Sequence, residues 1–238
     1  MEQQLYLVEY LESDTTRNDV GAISYIFERK RLRKAQRVYL PFKRLMDIVL
    51  SLLALVVLAP FMLVVAIVIK LDSRGPVLFK QQRVGKDGVP FTMFKFRSMG
   101  QDAEKKLMNS ESFKNRSGSL FIEKPEDDPR ITRVGRIIRK TSIDELPQFA
   151  NCLLGNMSLV GPRPLAVYEH EAMNAYQRQR ALVKPGLTCF WQVSGRSNLS
   201  EQERVELDIR YIREQGFLTD MTLLFKTIPA LVTEKGAY

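Results

Sequence analysis

Cysteine, histidine and tryptophan are scarce in this chain of 238 residues, which carries two, one and one of them. Cys152 and Cys189 are too few for a disulfide framework or a cysteine-rich zinc site. The single His170 excludes His-rich metal centres and leaves any hydrolase triad only one possible base. Acidic groups are also in deficit, with 27 Asp+Glu against 36 Lys+Arg and a formal net charge of +9. Such a chain seeks anions: nucleic acid, an acidic membrane surface or a phosphorylated substrate. No Walker lysine motif, GxSxG, HExxH or CxxC is present, and there is no internal repeat or low-complexity linker. Core-forming material is not lacking. The hydrophobic fraction of 45% excludes a disordered chain, and the length suits one domain with an appendage.

The positive charge is concentrated. Arg29, Lys30, Arg31, Arg33, Lys34, Arg37, Lys43 and Arg44 crowd in before an uncharged run from Ile48 to Ile69. At ~1.5 Å per residue a helix of that length could cross a hydrocarbon core of about 30 Å. It lies too deep in the chain for a cleaved signal peptide, and core helices are rarely apolar all round for so many turns. The run is therefore expected in a membrane. Lys70, Arg74, Lys80, Arg83 and Lys86 follow it almost as densely as cations precede it, so both flanks qualify for the cytoplasmic side. Pro60, just past the middle, removes a backbone hydrogen bond and favours a kink. A re-entrant helix bent at Ala59-Pro60 satisfies both features; a single span is the alternative. Residues 1–40 form an N-terminal extension in which Tyr25, Ile26, Phe27 and Leu32 intersperse with cations, as in a surface-lying amphipathic segment or a solvated tail. The membrane segment covers 41–71. Residues 72–238 turn mixed and globular in composition.

Within that domain, Val77–Arg83 and Phe91–Met99 flank a Gly85-Lys86-Asp87-Gly88 turn and predict a hairpin. Alternation puts Phe94 and Phe96 on one face and Lys95 and Arg97 on the other. Farther on, Arg130, Arg133, Arg136 and Arg139 recur every third residue, with Ile131, Val134 and Ile138 as an apolar stripe. A helix there would bury the stripe and present a row of guanidiniums. Asp144 and Glu145 follow, ahead of a helix that Gly155 stops. Either Asp144 caps this helix, with Pro147 in its first turn, or Ser142 caps it and Glu145 closes a capping box. Capping alone would account for both carboxylates. Beside an arginine row they also suit phosphate chemistry, since a carboxylate can attack phosphorus and Mg²⁺ takes one or two carboxylates plus substrate phosphates.

Arg163 sits between Pro162 and Pro164, a rigid loop in which a guanidinium loses little entropy on gripping an anion. Leu187–Val193 predicts a strand ending at the glycine-flanked Arg196. Ser200 and Glu203 make a capping box before a helix carrying Asp208 and Tyr211. An apolar helix over about Met221–Val232 suits the core or a bilayer surface.

The motifs KFRSM (Lys95–Met99), DPRITRVG with RKTSIDELPQ (Asp128–Gln148), MSLVGPRP (Met157–Pro164) and KPGLTCFWQVSGR (Lys184–Arg196) resemble the bacterial sugar transferase family, the monotopic phosphoglycosyl transferases. The likeness runs from about residue 41 to the end of the chain. It implies an α+β, mostly helical, monotopic membrane protein with one re-entrant helix and a small β-hairpin, at the cytoplasmic face of the bacterial inner membrane. It further implies transfer of a sugar 1-phosphate from a UDP-sugar to undecaprenyl phosphate, with Mg²⁺ and UMP release, as the first membrane step of exopolysaccharide, capsule or O-antigen type glycan synthesis.

Carried over by motif, Asp144 matches the nucleophile and Glu145 the Mg²⁺ ligand. Arg139 and Arg163 match phosphate-holding arginines, Arg196 and Asp208 the nucleotide and metal end. Lys95 and Arg97 match substrate-binding positions near the carboxylates. Many members have Ser before the membrane proline where this chain has Ala59, so a hydroxyl that could satisfy the bend is missing. FWQVSGR resembles members that transfer glucose or galactose 1-phosphate. The chain resembles a small catalytic-core form without the added spans of large members. Inner-leaflet anionic lipids are expected partners, nucleic acid is not, and a homo-oligomer is left open. Two other readings remain: a membrane-tethered binder of anionic ligands, which would release no UMP, and a glycosyltransferase that would release UDP.

Overall fold

The computed structural model describes residues 38–101, 103, 106, 128–195 and 198–232. The amphipathic segment expected before residue 38, and Arg196, lie outside the described residues. The first element, helix α1 (Tyr39–Asp72), has 34 residues, about 51 Å at ~1.5 Å per residue. The helical assignment runs through Pro60 without interruption. By length and composition it is the one helix among the described residues suited to crossing a membrane. Its middle is bare: Leu53, Val56, Val57, Leu63 and Val64 are all exposed. Its two ends are not. Lys43, Asp47 and Ser51, one helical turn apart, are buried at one end, and Val65 and Ile69 at the other.

Both ends dock on the same globular body. At the first end, Asp47 Oδ1 accepts from Ser158 Oγ at 3.0 Å and from the Leu159 amide at 2.9 Å, while Lys43 donates to the Val160 carbonyl at 2.9 Å and pairs with Asp220. The buried lysine and aspartates are thus paired or hydrogen-bonded, as low-dielectric burial demands. At the second end, Val65 and Ile69 pack with Phe96 and Ile138.

The hairpin forms as expected, with β1 (Leu78–Val84) antiparallel to β2 (Pro90–Phe96) around a turn at Lys86–Gly88. Both faces of β2 are covered. Phe91 and Met93 enter the main core with Cys152, Met157, Leu159, Val160, Tyr211 and Leu223, and Phe96 faces α1. Helix α2 (Arg133–Lys140) is capped by Thr132, whose hydroxyl accepts from the Gly135 amide. It buries Ile138, with Val134 packed alongside. Arg130 falls before this helix and chelates Asp128, and Arg133 and Arg136 are exposed, so of the expected row only Arg139 turns inward. Gly135 is obligatory here, because a Cβ would stand 1.9 Å from the Ser98 carbonyl oxygen.

Helix α3 (Gln148–Leu154) ends at Gly155 in the left-handed region, as the sequence predicts. Neither expected cap at its start forms. Asp144 and Glu145 instead occupy a separate 3-10 turn, Ile143–Glu145, after Ser142 at φ 57°, and neither Ser142 nor Pro147 makes a side-chain cap. Strand β3 (Ser158–Val160) pairs in parallel with β4 (Gly186–Thr188). The strand expected over Leu187–Val193 is cut short: from Phe190 to Ser194 the chain is helix α6, because ladder pairing with β3 stops at Thr188. Short helices α4 (Val167–Glu171) and α5 (Ala175–Arg178) lie between the two strands in sequence. Helix α7 (Glu201–Glu214) carries the predicted Ser200–Glu203 capping box, and α8 (Phe217–Val232) buries Leu223 while Leu218, Phe225 and Ile228 stay exposed.

Candidate active site

Three segments converge on the Asp144–Glu145 turn: the end of β2, the last turn of α2 and the Pro162-Arg163-Pro164 loop. Lys95 Nζ donates to Glu145 Oε1 at 2.9 Å and lies 3.9 Å from Asp144 Oδ2. Arg163 grips Glu145 in a fork, Nη2 to Oε1 at 2.6 Å and Nη1 to Oε2 at 3.5 Å. Arg139, half-buried, adds its charge to the field at Asp144. Three cations thus surround two adjacent carboxylates, and the excess positive charge favours an anionic ligand.

The two carboxyls differ. Burial pushes Asp144 above the ordinary aspartate pKa, opposed by the Lys95 charge and reinforced by Glu145. Burial also acts to raise Glu145, but the charges and hydrogen bonds of Arg163 and Lys95 override it and hold that carboxyl far below the usual range. A proton taken up by the pair therefore resides on Asp144. Asp144 carries only the longer contact to Lys95, so its oxygens remain available for chemistry. Glu145 is the anchored anion.

Adjacent carboxylates suit a hard divalent cation in donor type. Glu145 Oε2 has only the 3.5 Å contact, leaving a lone pair for such an ion. No group of three His, Cys, Asp or Glu side chains gathers among the described residues, so the protein offers one or two ligands and phosphate oxygens would have to complete the shell.

The structure brings together four of the residues singled out from sequence, Lys95, Arg139, Asp144 and Glu145, with Arg163 as the fifth. It does not bring in Arg97. Strand β2 ends at Phe96, and the Arg97 guanidinium turns away to the carbonyls of Ile69, Ser73 and Pro76, closing the C-terminal end of α1. The expected side-by-side cations on one strand face are therefore split between two tasks. Asp208 stands one layer out. It is fully buried and paired with Arg180, whose Nη2 donates to the Arg163 carbonyl at 2.9 Å. Burial, partly offset by Arg180, pushes the Asp208 pKa up to about 6.

Sequence reasoning missed Arg180 and Trp191. The Trp191 ring on α6 lies 5.9 Å from the Arg163 guanidinium and 5.5 Å from that of Arg204. The one available signal was a lone tryptophan beside a glycine-flanked arginine. His170 takes no part in the carboxylate cluster; burial and the charges of Arg178 and Arg180 lower its pKa to about 4, so it is neutral.

The bacterial sugar transferase profile matches residues 38–234. The chain is 43% identical over 196 residues to the galactosyl transferase CpsE of Streptococcus agalactiae serotype III (strain NEM316), covering 82% of this chain and 43% of that protein. It is 38% identical over 200 residues to the exopolysaccharide production protein ExoY of Sinorhizobium fredii (strain NBRC 101917 / NGR234), covering 82% and 88%. With the UDP-glucose:undecaprenyl-phosphate glucose-1-phosphate transferase of Escherichia coli (strain K12) it shares 40% identity over 205 residues, covering 82% and 41%. The chain spans less than half the length of the streptococcal and E. coli relatives and most of ExoY. The matched span contains every described residue of the cation-ringed carboxylate pair and all of α1, and the chain belongs to the bacterial sugar transferase family.

Proposed function

We propose that this chain is a phosphoglycosyl transferase that moves a hexose 1-phosphate from a UDP-sugar to undecaprenyl phosphate and releases UMP. The observation that carries the reading is a buried aspartate lacking a close ion-pair partner, set beside a glutamate clamped by Lys95 and Arg163. The relatives' names, which specify galactosyl, exopolysaccharide and glucose-1-phosphate roles, support the same reaction class.

In the first step an Asp144 oxygen attacks the sugar-bearing phosphorus. The bond from that phosphorus to the bridging oxygen breaks, and UMP leaves with the electron pair. In the second step a polyprenyl phosphate oxygen attacks the same phosphorus and returns Asp144 as a carboxylate. Arg163, Lys95 and Arg139 bind and orient the diphosphate; rigid prolines on both sides of Arg163 limit the entropy lost in doing so. Mg²⁺, held by Glu145 and phosphate oxygens, would neutralise charge on the diphosphate. Glucose or galactose is the proposed sugar, resting on the FWQVSGR segment. Helix α1 is proposed to be re-entrant, because both of its ends dock on one body, and to hold the site at the cytoplasmic face of the inner membrane. The test is to incubate detergent-solubilised protein with Mg²⁺, a polyprenyl phosphate and a panel of UDP-sugars, N-acetylated ones included. UMP release with UDP-glucose or UDP-galactose is expected. UDP release, or no product from any donor, would overturn the reading.

A further inference from the structure

Arg163 is held at both ends. Its carbonyl accepts from Arg180, itself paired with buried Asp208, and its guanidinium rests on Glu145. The second attachment competes with a ligand: a diphosphate that takes the end-on fork of Arg163 displaces Glu145, which holds both Nη atoms. Apart from Glu145 and the nearby charge of Asp144, the guanidinium has the indole of Trp191 beneath it, 5.9 Å away. That ring is fixed to α7 through Arg204, at 5.5 Å. Its Nε1 is shut off from solvent with no hydrogen-bond partner among the described residues, so the side chain is held through its face. Tryptophan offers a cation the strongest aromatic face.

We propose that Trp191 is a positioning residue: its indole face keeps the Arg163 guanidinium at the site while Glu145 exchanges it for the diphosphate of the donor. A released arginine on a long side chain would otherwise sample many rotamers, and the donor would have to order it again. The proposal rests on the phosphoglycosyl transferase reading and adds a role for a side chain outside the reacting groups.

Steady-state UMP release by the full-length protein in detergent tests it, using Trp191→Phe, Trp191→Leu, Arg163→Met and the Leu/Met double variant. Trp191→Leu should raise the donor KM about tenfold with a smaller change in kcat, and Trp191→Phe, which keeps an aromatic face, should stay within about threefold of wild type. In the Arg163→Met background, Trp191→Leu should change kcat/KM by less than about twofold, because the group it acts through is gone. Effects that multiply in the double variant would overturn the proposal.

A second measurement does not depend on the leucine variant folding. Trp191 is the chain's single tryptophan, so wild-type emission should change saturably as UMP and Mg²⁺ are added. Unchanged emission at UMP concentrations that calorimetry shows to be saturating would overturn the proposal. Failure to release UMP from any UDP-sugar would remove the reaction reading and this inference with it; UMP release with a multiplicative cycle would remove the inference alone.

Discussion

Asp144 and Glu145 are neighbours on one turn, yet their surroundings give them opposite proton affinities, and that difference can be measured. Asp144→Asn should lower turnover at least about a hundredfold, roughly 2.7 kcal/mol of barrier, with the circular dichroism spectrum unchanged. As the proposed nucleophile, Asp144 must be ionised, and burial raises its pKa. Activity should therefore be lost as pH falls through a value above the ordinary aspartate pKa. Glu145→Gln removes the neighbouring negative charge, so the acid limb of the residual single-turnover rate should move to lower pH. Lys95→Met removes the compensating cation and should move it higher. Rapid-quench rates between pH 4 and 7 check both signs. The residues of this cluster were legible in the sequence through the family motifs; by composition, carboxylates beside clustered arginines suit phosphate chemistry and helix capping equally well. The direction each side chain takes was not. Alternation places Arg97 with Lys95 only while the strand continues, and it stops at Phe96, so tertiary carbonyls claim the guanidinium.

At the scale of elements, the sequence located the long apolar helix, the hairpin and the Gly155 stop, each set by a local signal. It misread Leu187–Val193 as one strand, because apolar and aromatic content does not reveal where a three-residue partner ends. Nor could it foresee the close crossings that fix the elements. A Cβ on Gly186 would stand 2.0 Å from the Gly161 amide nitrogen, where β4 passes the start of the Arg163 loop. Gly186→Ala must push the two backbones apart, and roughly 3 kcal/mol of stability should be lost, with activity falling further than at an exposed glycine. Gly88, whose added Cβ would meet nothing within 4 Å, is the control, although its φ of 79° carries a small strain of its own. Chemical denaturation of the three proteins in one detergent makes the comparison.

At the scale of the whole molecule, the fold supplies its own assay of topology. Cysteines introduced at Val38 and Ser73 flank α1, and Val38 is exposed. Cys152 and Cys189 are fully buried, and burial pushes both thiols upward, Cys152 to about 12. They should stay silent to a charged maleimide without being replaced. In sealed inverted vesicles both introduced sites should label from outside; labelling of Val38 only after the vesicles are opened would establish a single span. Each cation kept on the inner face gains about 1 kcal/mol from anionic lipid, which favours the first outcome.

The docking of α1 has a practical consequence for anyone seeking a water-soluble form. The usual remedy, cutting away the apolar helix, would here remove a wall of the globular body. Asp47 and Lys43 hold the backbone of Leu159 and Val160, immediately upstream of Gly161 and the Arg163 loop, and Val65 and Ile69 cover Phe96, next to Lys95. A truncated domain should therefore aggregate or lose its site. The better course is to recolour the helix in place: polar residues at exposed Leu53, Val56, Val57, Leu63 and Val64, with Lys43, Asp47, Ser51, Val65 and Ile69 untouched. Such a protein should bind UMP without detergent while losing its grip on the lipid acceptor.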